Sequence, residues 1–272
     1  MRTRVLSAVV LVPLVVGAVY IGGWIWAAVV TAAAVIATYE GFGMARAAGH
    51  RPDTWLGLCL GGGLALTGAW PEHDLVRLAL AAGVIGAFLA QMLRAAEDRS
   101  LGDWTATLVF PVMAGVLCSY LILIRNMDDG LLWTLLAFVL IWVNDSAAYL
   151  GGRGFGRSPF FASLSPKKTL EGAICGTIAT VAVGLLTPAI ATLGPDFLAP
   201  LADLPALGVA ALGLLVSIAG PAGDLSQSFI KRQVGVKDSG NLIPGHGGVL
   251  DRLDSLLFAA PVVYYAAMLL AG

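Results

Sequence analysis

GDLSQSFIKRQVGVKDSGNLIPGHGGVLDRLD, residues 223–254, is a polar stretch set between two apolar runs, 206–230 and 253–271. In a chain that is 58% hydrophobic and only 12% charged, it gathers Asp224, Asp238, Asp251 and Asp254 with Lys231, Arg232, Lys237, Arg252 and His246. Each flanking run has the length of a helix, so the stretch reads as a turn between two helices. Treating 224–231 as the end of the first helix puts Asp224, Gln227, Ser228 and Lys231 at i, i+3, i+4 and i+7, on one face. Asp251, Asp254 and Ser255 repeat the pattern at the start of the second. Two acidic helix ends thus flank one glycine-rich basic loop.

Outward from this loop the chain is apolar throughout. A mean hydropathy of +0.85 excludes a large soluble globular domain. The apolar runs are roughly 17 to 25 residues long, the length of membrane helices, where a barrel strand needs about ten alternating residues. They fall at about 5–20, 24–44, 54–70, 75–93, 104–124, 131–150, 172–193, 206–230 and 253–271. The expected fold is all-α, a polytopic membrane protein of about nine spans. Arg2 and Arg4 precede the first run as in a signal peptide, but Gly22 and Gly23 only turn the chain into the second run, and a helical hairpin fits better.

Charge sign orders the segments between the runs. With a cytoplasmic N-terminus, fourteen of the 16 Lys and Arg fall in inside segments, leaving Arg77 and Arg125 outside. This places the C-terminus outside and both long polar loops, 151–171 and 231–251, in the cytoplasm, where they can share one site. The net charge of −1 gives no reason to expect nucleic acid. No internal repeat divides the chain, so a single domain, 1–272, is expected, with N-terminal helices 1–130 and a motif-bearing half 131–272. Cys59, Cys118 and Cys175 are scattered within apolar runs and read as packing residues. Gly57, Gly61, Gly62, Gly63, Gly83 and Gly86 suit close helix packing, and Trp24, Trp26, Trp70, Trp104 and Trp133 sit near run ends where an indole meets the interface. Tyr39 and Glu40, inside the second run, fit a buried polar contact or a headgroup pocket equally well.

Asp145 lies in IWVNDSAAYL, late in the sixth run, where a charge costs a few kcal/mol unless it is paired or wetted, and a functional reading is the default. A structural pairing with Arg153 or Lys168 is the alternative. Asn144 and Ser146 extend its polar surface. The following loop, GGRGFGRSPFFASLSPKKTLEG, offers four glycines, Arg153, Arg157, Lys167 and Lys168. Residues 151–158 nearly satisfy the phosphate-loop spacing, but they follow a membrane helix in place of a strand, so that fingerprint is rejected. A flexible basic loop suited to phosphates remains, with Thr169 capping the helix that carries Glu171. His246 reads as a hydrogen-bonding residue, and Asp224 and Asp251 beside it favour a hard cation over zinc. His50 and His73 look incidental.

The residues Ser228, Lys231, Arg232, Lys237, Asp238, Gly240, Leu242, Pro244, His246, Gly247, Gly248, Asp251, Arg252 and Asp254 closely resemble the signature of the phosphatidate cytidylyltransferases, or CDP-diacylglycerol synthases. NDSAAYLGGRGFGR and SPKKTLEG, residues 165–172, resemble family sequence too, so the likeness covers the C-terminal half by motif and the N-terminal half by hydropathy. Asn144 and Leu170 depart from the usual small residue and tryptophan, and neither replaces an ionisable group. The resemblance implies transfer of a cytidylyl group from CTP to phosphatidate, giving CDP-diacylglycerol and pyrophosphate in phospholipid synthesis. The lipid phosphate, with a second pKa of roughly 6, is largely ionised at neutral pH and needs no general base. The obstacle is to bring a dianion against a triphosphate, so the protein must supply cations.

The resemblance therefore implies Mg2+, with room for a second cation, held by Asp224 and Asp251 with Asp145 close by and Asp254 behind them. Catalytic roles fall to Asp145, Asp224, Asp251, Lys168 and His246. Substrate phosphates would meet Ser165, Lys167, Lys168, Lys231, Arg232, Lys237, His246, Gly247, Gly248 and Arg252. The implied partners are CTP, phosphatidate and the bilayer of the cell membrane, and a homodimer is compatible with all of this. Two other classes fit the composition. A CTP-dependent kinase of a lipid alcohol would need a base for the hydroxyl, for which Asp145 is the obvious group. An anion carrier would place Asp145 on the solute's route, but carboxylates repel such a solute and no repeat symmetry supports it.

Overall fold

The computed structural model describes residues 2–242 and 247–271, without the side chains of 2–8 and 10. Every one of the nine apolar runs is a helix: α1 (Arg2–Ile21), α2 (Gly23–Ala47), α3 (Thr54–Leu66), α4 (Leu75–Met92), α5 (Leu101–Asn126), α6 (Gly130–Phe155), α7 (Leu170–Leu193), then, after the short α8 (Ala199–Ala202), α9 (Ala206–Gln233) and α10 (Leu250–Ala271). Among the described residues there is no strand, and an isolated antiparallel bridge joins Pro159 and Thr169. Among the described residues seven helices are long and apolar enough to cross a membrane, and Leu11–Ile21 and Thr54–Ala69 are shorter apolar stretches. The chain is an all-α, multi-pass membrane protein. Lipid offers no partner for a backbone N–H or C=O, so helices that satisfy their own are the natural solution for such a sequence.

The helices fall into two compact units: Met1–Asn126 with Ile230–Leu253, and Met127–Phe229 with Asp254–Gly272. The first therefore joins most of the signature loop to the N-terminal helices, a grouping that crosses the expected division near residue 130.

In the first unit, Gly22 and Gly23 adopt φ of 70° and 52°, the left-handed region open to glycine, and turn α1 into α2 as a hairpin. A Cβ on Gly22 would collide with the Arg125 guanidinium. That guanidinium donates to the carbonyls of Val19 at 2.6 Å and Tyr20 at 3.2 Å, closing the C-terminus of α1. At the other end of α2, Arg46 reaches Thr54 Oγ1 at 3.2 Å, and Asp103, 5% exposed, accepts from the Arg51 N–H at 2.8 Å and Arg94 Nη1 at 2.9 Å. Arg46, Arg51 and Arg94 thus gather at one end of this helix group, and Arg125, at the far end of α5 from Asp103, lies at the other.

Helix α3 starts beside Arg46, capped by Asp53, whose side chain accepts from the Leu56 N–H. Its 3-10 extension ends next to Trp70, whose ring centroid is 5.2 Å from that of Trp24 at the start of α2. At about 1.5 Å per α-helical residue and 2.0 Å per 3-10 residue, this stretch is about 26 Å long and packs alongside the longer α2, which is about 38 Å.

Small residues set the helix spacing. A Cβ on Gly115 of α5 would lie 2.5 Å from the Gly61 carbonyl of α3, and one on Gly83 would lie 2.7 Å from Leu60. Gly57, Gly61, Gly62 and Gly86 also face neighbours, while Gly63 faces open space and carries no such role. Two of the tryptophans read as interfacial are core residues: Trp26 and Trp133 are each 2% exposed, and Trp26 donates its indole N–H to the Leu121 carbonyl at 2.9 Å. In the second unit α6 packs on α7 through Gly172 against the Ala148 carbonyl and Gly176 against Asn144, and α7 packs on α9 through Gly213 against the Thr180 carbonyl. The room at Gly176 accommodates Asn144, which is 3% exposed.

Candidate active site

In the second unit the sequence folds the basic loop after α6 back on itself. The Phe160 N–H donates to the Lys168 carbonyl at 2.8 Å and the Leu170 N–H to the Ser158 carbonyl at 2.9 Å, pinning both ends of the Pro159–Thr169 bridge. Glu171, in the first turn of α7, accepts from the Arg157 and Ser158 N–H groups at 3.1 Å each. Thr169 caps α7, its hydroxyl accepting from the Gly172 N–H at 3.2 Å, as the sequence indicates. Ser165 contributes through its carbonyl, which accepts from the Lys168 N–H at 3.1 Å and tightens the turn.

The result is a fixed direction for Lys168. Its Nζ lies 2.7 Å from Oδ2 of Asp224 on α9, with the side chains 28% and 36% exposed. Ser228, one turn along α9, lies 3.4 Å from Asp224 Oδ1. Asp145, on the accessible face of α6, lies within the electrostatic reach of both Lys168 and Asp224. Gly223 brings α9 against the Asp254 carbonyl of α10, so Asp254 backs the same residues, and its Oδ1 accepts from the Ser255 N–H at 2.7 Å. Two carboxylates compensated by one lysine leave a net negative charge on hard oxygen donors.

In the first unit a second set forms around Asp251, at the start of α10. Its Oδ1 accepts from Lys231 Nζ at 2.6 Å, and its Oδ2 accepts from the Ser239 N–H at 2.8 Å, the Ser239 hydroxyl at 2.9 Å and the Gly248 N–H at 3.1 Å. Asp251 and Lys231 side chains are only 6% and 11% exposed. Gly247, at φ 81°, makes the turn that presents the Gly248 N–H. The structure therefore brings Lys168 to Asp224 and Lys231 to Asp251, each within its own unit.

The remaining residues expected at the site are placed differently. Lys167, Lys237, Arg232 and Arg252 are exposed, the first on the basic loop and the others around the signature loop. His246, Pro244 and Gly245 lie outside the described residues. Two further residues join the Asp251 set: Glu40, for which the sequence left a buried polar contact and a headgroup pocket equally open and which makes the buried contact, and Ser239, for which the sequence carried no signal.

A metal fits the donors present. Among the described residues no three His, Cys, Asp or Glu side chains form a cage. Magnesium does not require one, because it is commonly held by one or two carboxylates, water and substrate phosphates. Asp224 and Asp145 supply hard oxygens and unbalanced negative charge, which suit a hard cation. Asp251 has three donors on Oδ2 and keeps lone-pair capacity on Oδ1 beside Lys231.

A cytidylyltransferase family model matches residues 2–270, nearly the whole chain. The chain belongs to the cytidylyltransferase family. Within that family it is 33% identical to a phosphatidate cytidylyltransferase of Synechocystis, over 98% of this chain and 96% of the relative. It is also 31% identical to one of Staphylococcus haemolyticus, over 70% of this chain and 80% of that protein. A Bacillus subtilis phosphatidate cytidylyltransferase is 37% identical over 57% of this chain and 54% of its own length. The family likeness thus extends through the N-terminal helices, where the motifs do not reach.

Proposed function

We propose that this cytidylyltransferase joins CTP to phosphatidate, forming CDP-diacylglycerol and pyrophosphate in the membrane. The observation that carries the reading is the full-length likeness to a phosphatidate cytidylyltransferase. The Lys168–Asp224 contact supports it by joining the two motifs that the resemblance assigns to one nucleotide. In the reaction an oxygen of the lipid phosphate attacks the α-phosphorus of CTP, a new P–O bond forms, and the bond to the β-phosphate oxygen breaks to release pyrophosphate. Phosphate already supplies the nucleophile, so the protein's part is positioning and charge.

Lys168 is suited to this. A lysine held by a carboxylate is pre-placed for a triphosphate and can return to that carboxylate when pyrophosphate departs. Within the second unit, Asp224 with Asp145 beside it would hold Mg2+, which supplies positive charge to the triphosphate, and within the first unit Asp251 offers Oδ1 to a cation. Lys167, Lys237 and Arg252 are exposed cations available to the outer phosphates. The charge ordering supports a cytoplasmic site, where CTP is found, with the N-terminus inside and the C-terminus outside.

Labelled CTP tests the reading in detergent with phosphatidate as acceptor. Label at the α-phosphate should enter the lipid and label at the γ-phosphate should leave as pyrophosphate. Gamma label in the lipid would identify a kinase, and no label in lipid would overturn transferase chemistry altogether.

A further inference from the structure

Helix α2 carries none of the motifs, yet it holds the signature loop. Glu40, 6% exposed within α2, accepts from the Val249 N–H at 2.9 Å and the Leu250 N–H at 2.8 Å, and its Oε2 lies 3.2 Å from the Ser239 hydroxyl, whose single proton it shares with the closer Asp251 Oδ2. Val249 and Leu250 stand at the start of α10, where backbone N–H groups have no partner inside the helix. A side chain of the helix's own N-cap normally meets that need. Here a carboxylate from another helix does so, and its negative charge also opposes the positive end of α10.

The loop backbone closes on Glu40 from both sides. A Cβ on Gly240 would lie 2.7 Å from the Glu40 carboxylate, and a Cβ on Gly248 would also collide with it. Glycine at both positions is therefore what lets the outgoing and returning branches of the loop reach one carboxylate. Ser239 then couples Glu40 to Asp251, because its hydroxyl lies 3.2 Å from Glu40 Oε2 and 2.9 Å from Asp251 Oδ2 while its N–H binds the latter at 2.8 Å. Asp251 in turn holds Lys231 at 2.6 Å.

We propose that Glu40 is a positioning residue for cytidylyl transfer: it fixes both branches of the signature loop and, through Ser239, sets the place of Asp251 and Lys231. The proposal rests on the function given above for that loop. It assigns the N-terminal helices a part in the site beyond that of a lipid-facing scaffold.

The test combines a readout without substrate and one with it. Glu40→Gln keeps the size but turns an amide NH2 toward loop donors, Glu40→Ala removes the group, and Ser239→Ala removes the coupling hydroxyl. Hydrogen exchange of substrate-free protein in detergent is followed on peptides covering 236–242 and 247–253, with α5 as internal reference. Either Glu40 variant should raise exchange in those peptides at least tenfold with α5 unchanged. The same variants should lower kcat at least tenfold. The losses in kcat/KM for Glu40→Gln and Ser239→Ala should be clearly less than additive in the double variant, since both cut one chain of contacts.

Unchanged loop exchange, kcat within twofold of wild type, or strict additivity would each overturn the proposal. If Glu40→Ala fails to fold, Glu40→Gln carries the test. If wild-type protein transfers no CMP to lipid, the functional reading fails while the exchange measurement still decides whether Glu40 holds the loop.

Discussion

Lys168 Nζ lies 2.7 Å from Asp224 Oδ2, so a residue of the basic loop is in direct contact with the first carboxylate of the signature stretch. Of two adjacent lysines, only Lys168 is turned toward a carboxylate, and Lys167 is exposed. Lys168→Gln should therefore lower kcat/KM for CTP by about ten- to hundredfold, the worth of one charge-assisted hydrogen bond. Part of the loss should appear in KM for CTP, because a phosphate contact acts in the ground state as well. Lys167→Gln should stay within about threefold. Steady-state kinetics with CTP and phosphatidate varied separately decide this, and equal effects at both positions would count against the assigned geometry.

Asp224→Asn preserves shape and removes one charge from the set formed with Asp145 and Lys168. Turnover should fall by about two orders of magnitude with the melting temperature held near wild type, since the group is partly exposed and its pairing contributes little to folding. Titrating Mg2+ in the assay should reveal a weaker apparent affinity. Full activity at saturating Mg2+ would remove Asp224 from the metal.

Asp251→Asn should behave differently. Lys231 and Asp251 form a buried pair, and neutralising one partner leaves the Lys231 ammonium without its counter-charge, at a cost of about 3–5 kcal/mol. The variant should lose both activity and thermal stability, read as a lower melting temperature in detergent. Lost activity with unchanged melting would instead make Asp251 a purely catalytic group.

Helix spacing in the first unit gives a contrast between two glycines. A Cβ at Gly115 would lie 2.5 Å from the backbone oxygen of Gly61, which cannot rotate away, so Gly115→Ala should destabilise by about 1–3 kcal/mol. Gly63 faces open space, and Gly63→Ala should leave the melting temperature unchanged or slightly raised. Detergent melts of the two variants side by side provide the measurement.

Sidedness follows from the charge ordering. A reporter fused after Gly272 should act on the outer side and one inserted in the 156–169 loop on the cytoplasmic side. With the N-terminus inside, a cytoplasmic C-terminus would show that the helices cross an even number of times, and the shorter α1 and α3 would be the first candidates for a helix that does not cross.

The sequence by itself determined where the helices run, because a bilayer demands long apolar segments and the chain supplies them one after another. It also determined the ends that local chemistry governs: the Gly22–Gly23 turn and the Thr169 cap depend only on neighbouring residues. The motif residues were legible as types, carboxylates and lysines in the right loops. Tertiary structure decided their partners. Periodicity says which face of its own helix a residue occupies, but not which residue hundreds of positions away will meet it. So the sequence could not tell Lys168 from Lys167, see Trp26 and Trp133 as core, or choose between the two readings of Glu40. That last choice was made when packing brought α2 to Ser239, Val249 and Leu250, whose donors give a buried carboxylate in an apolar helix the partners it needs.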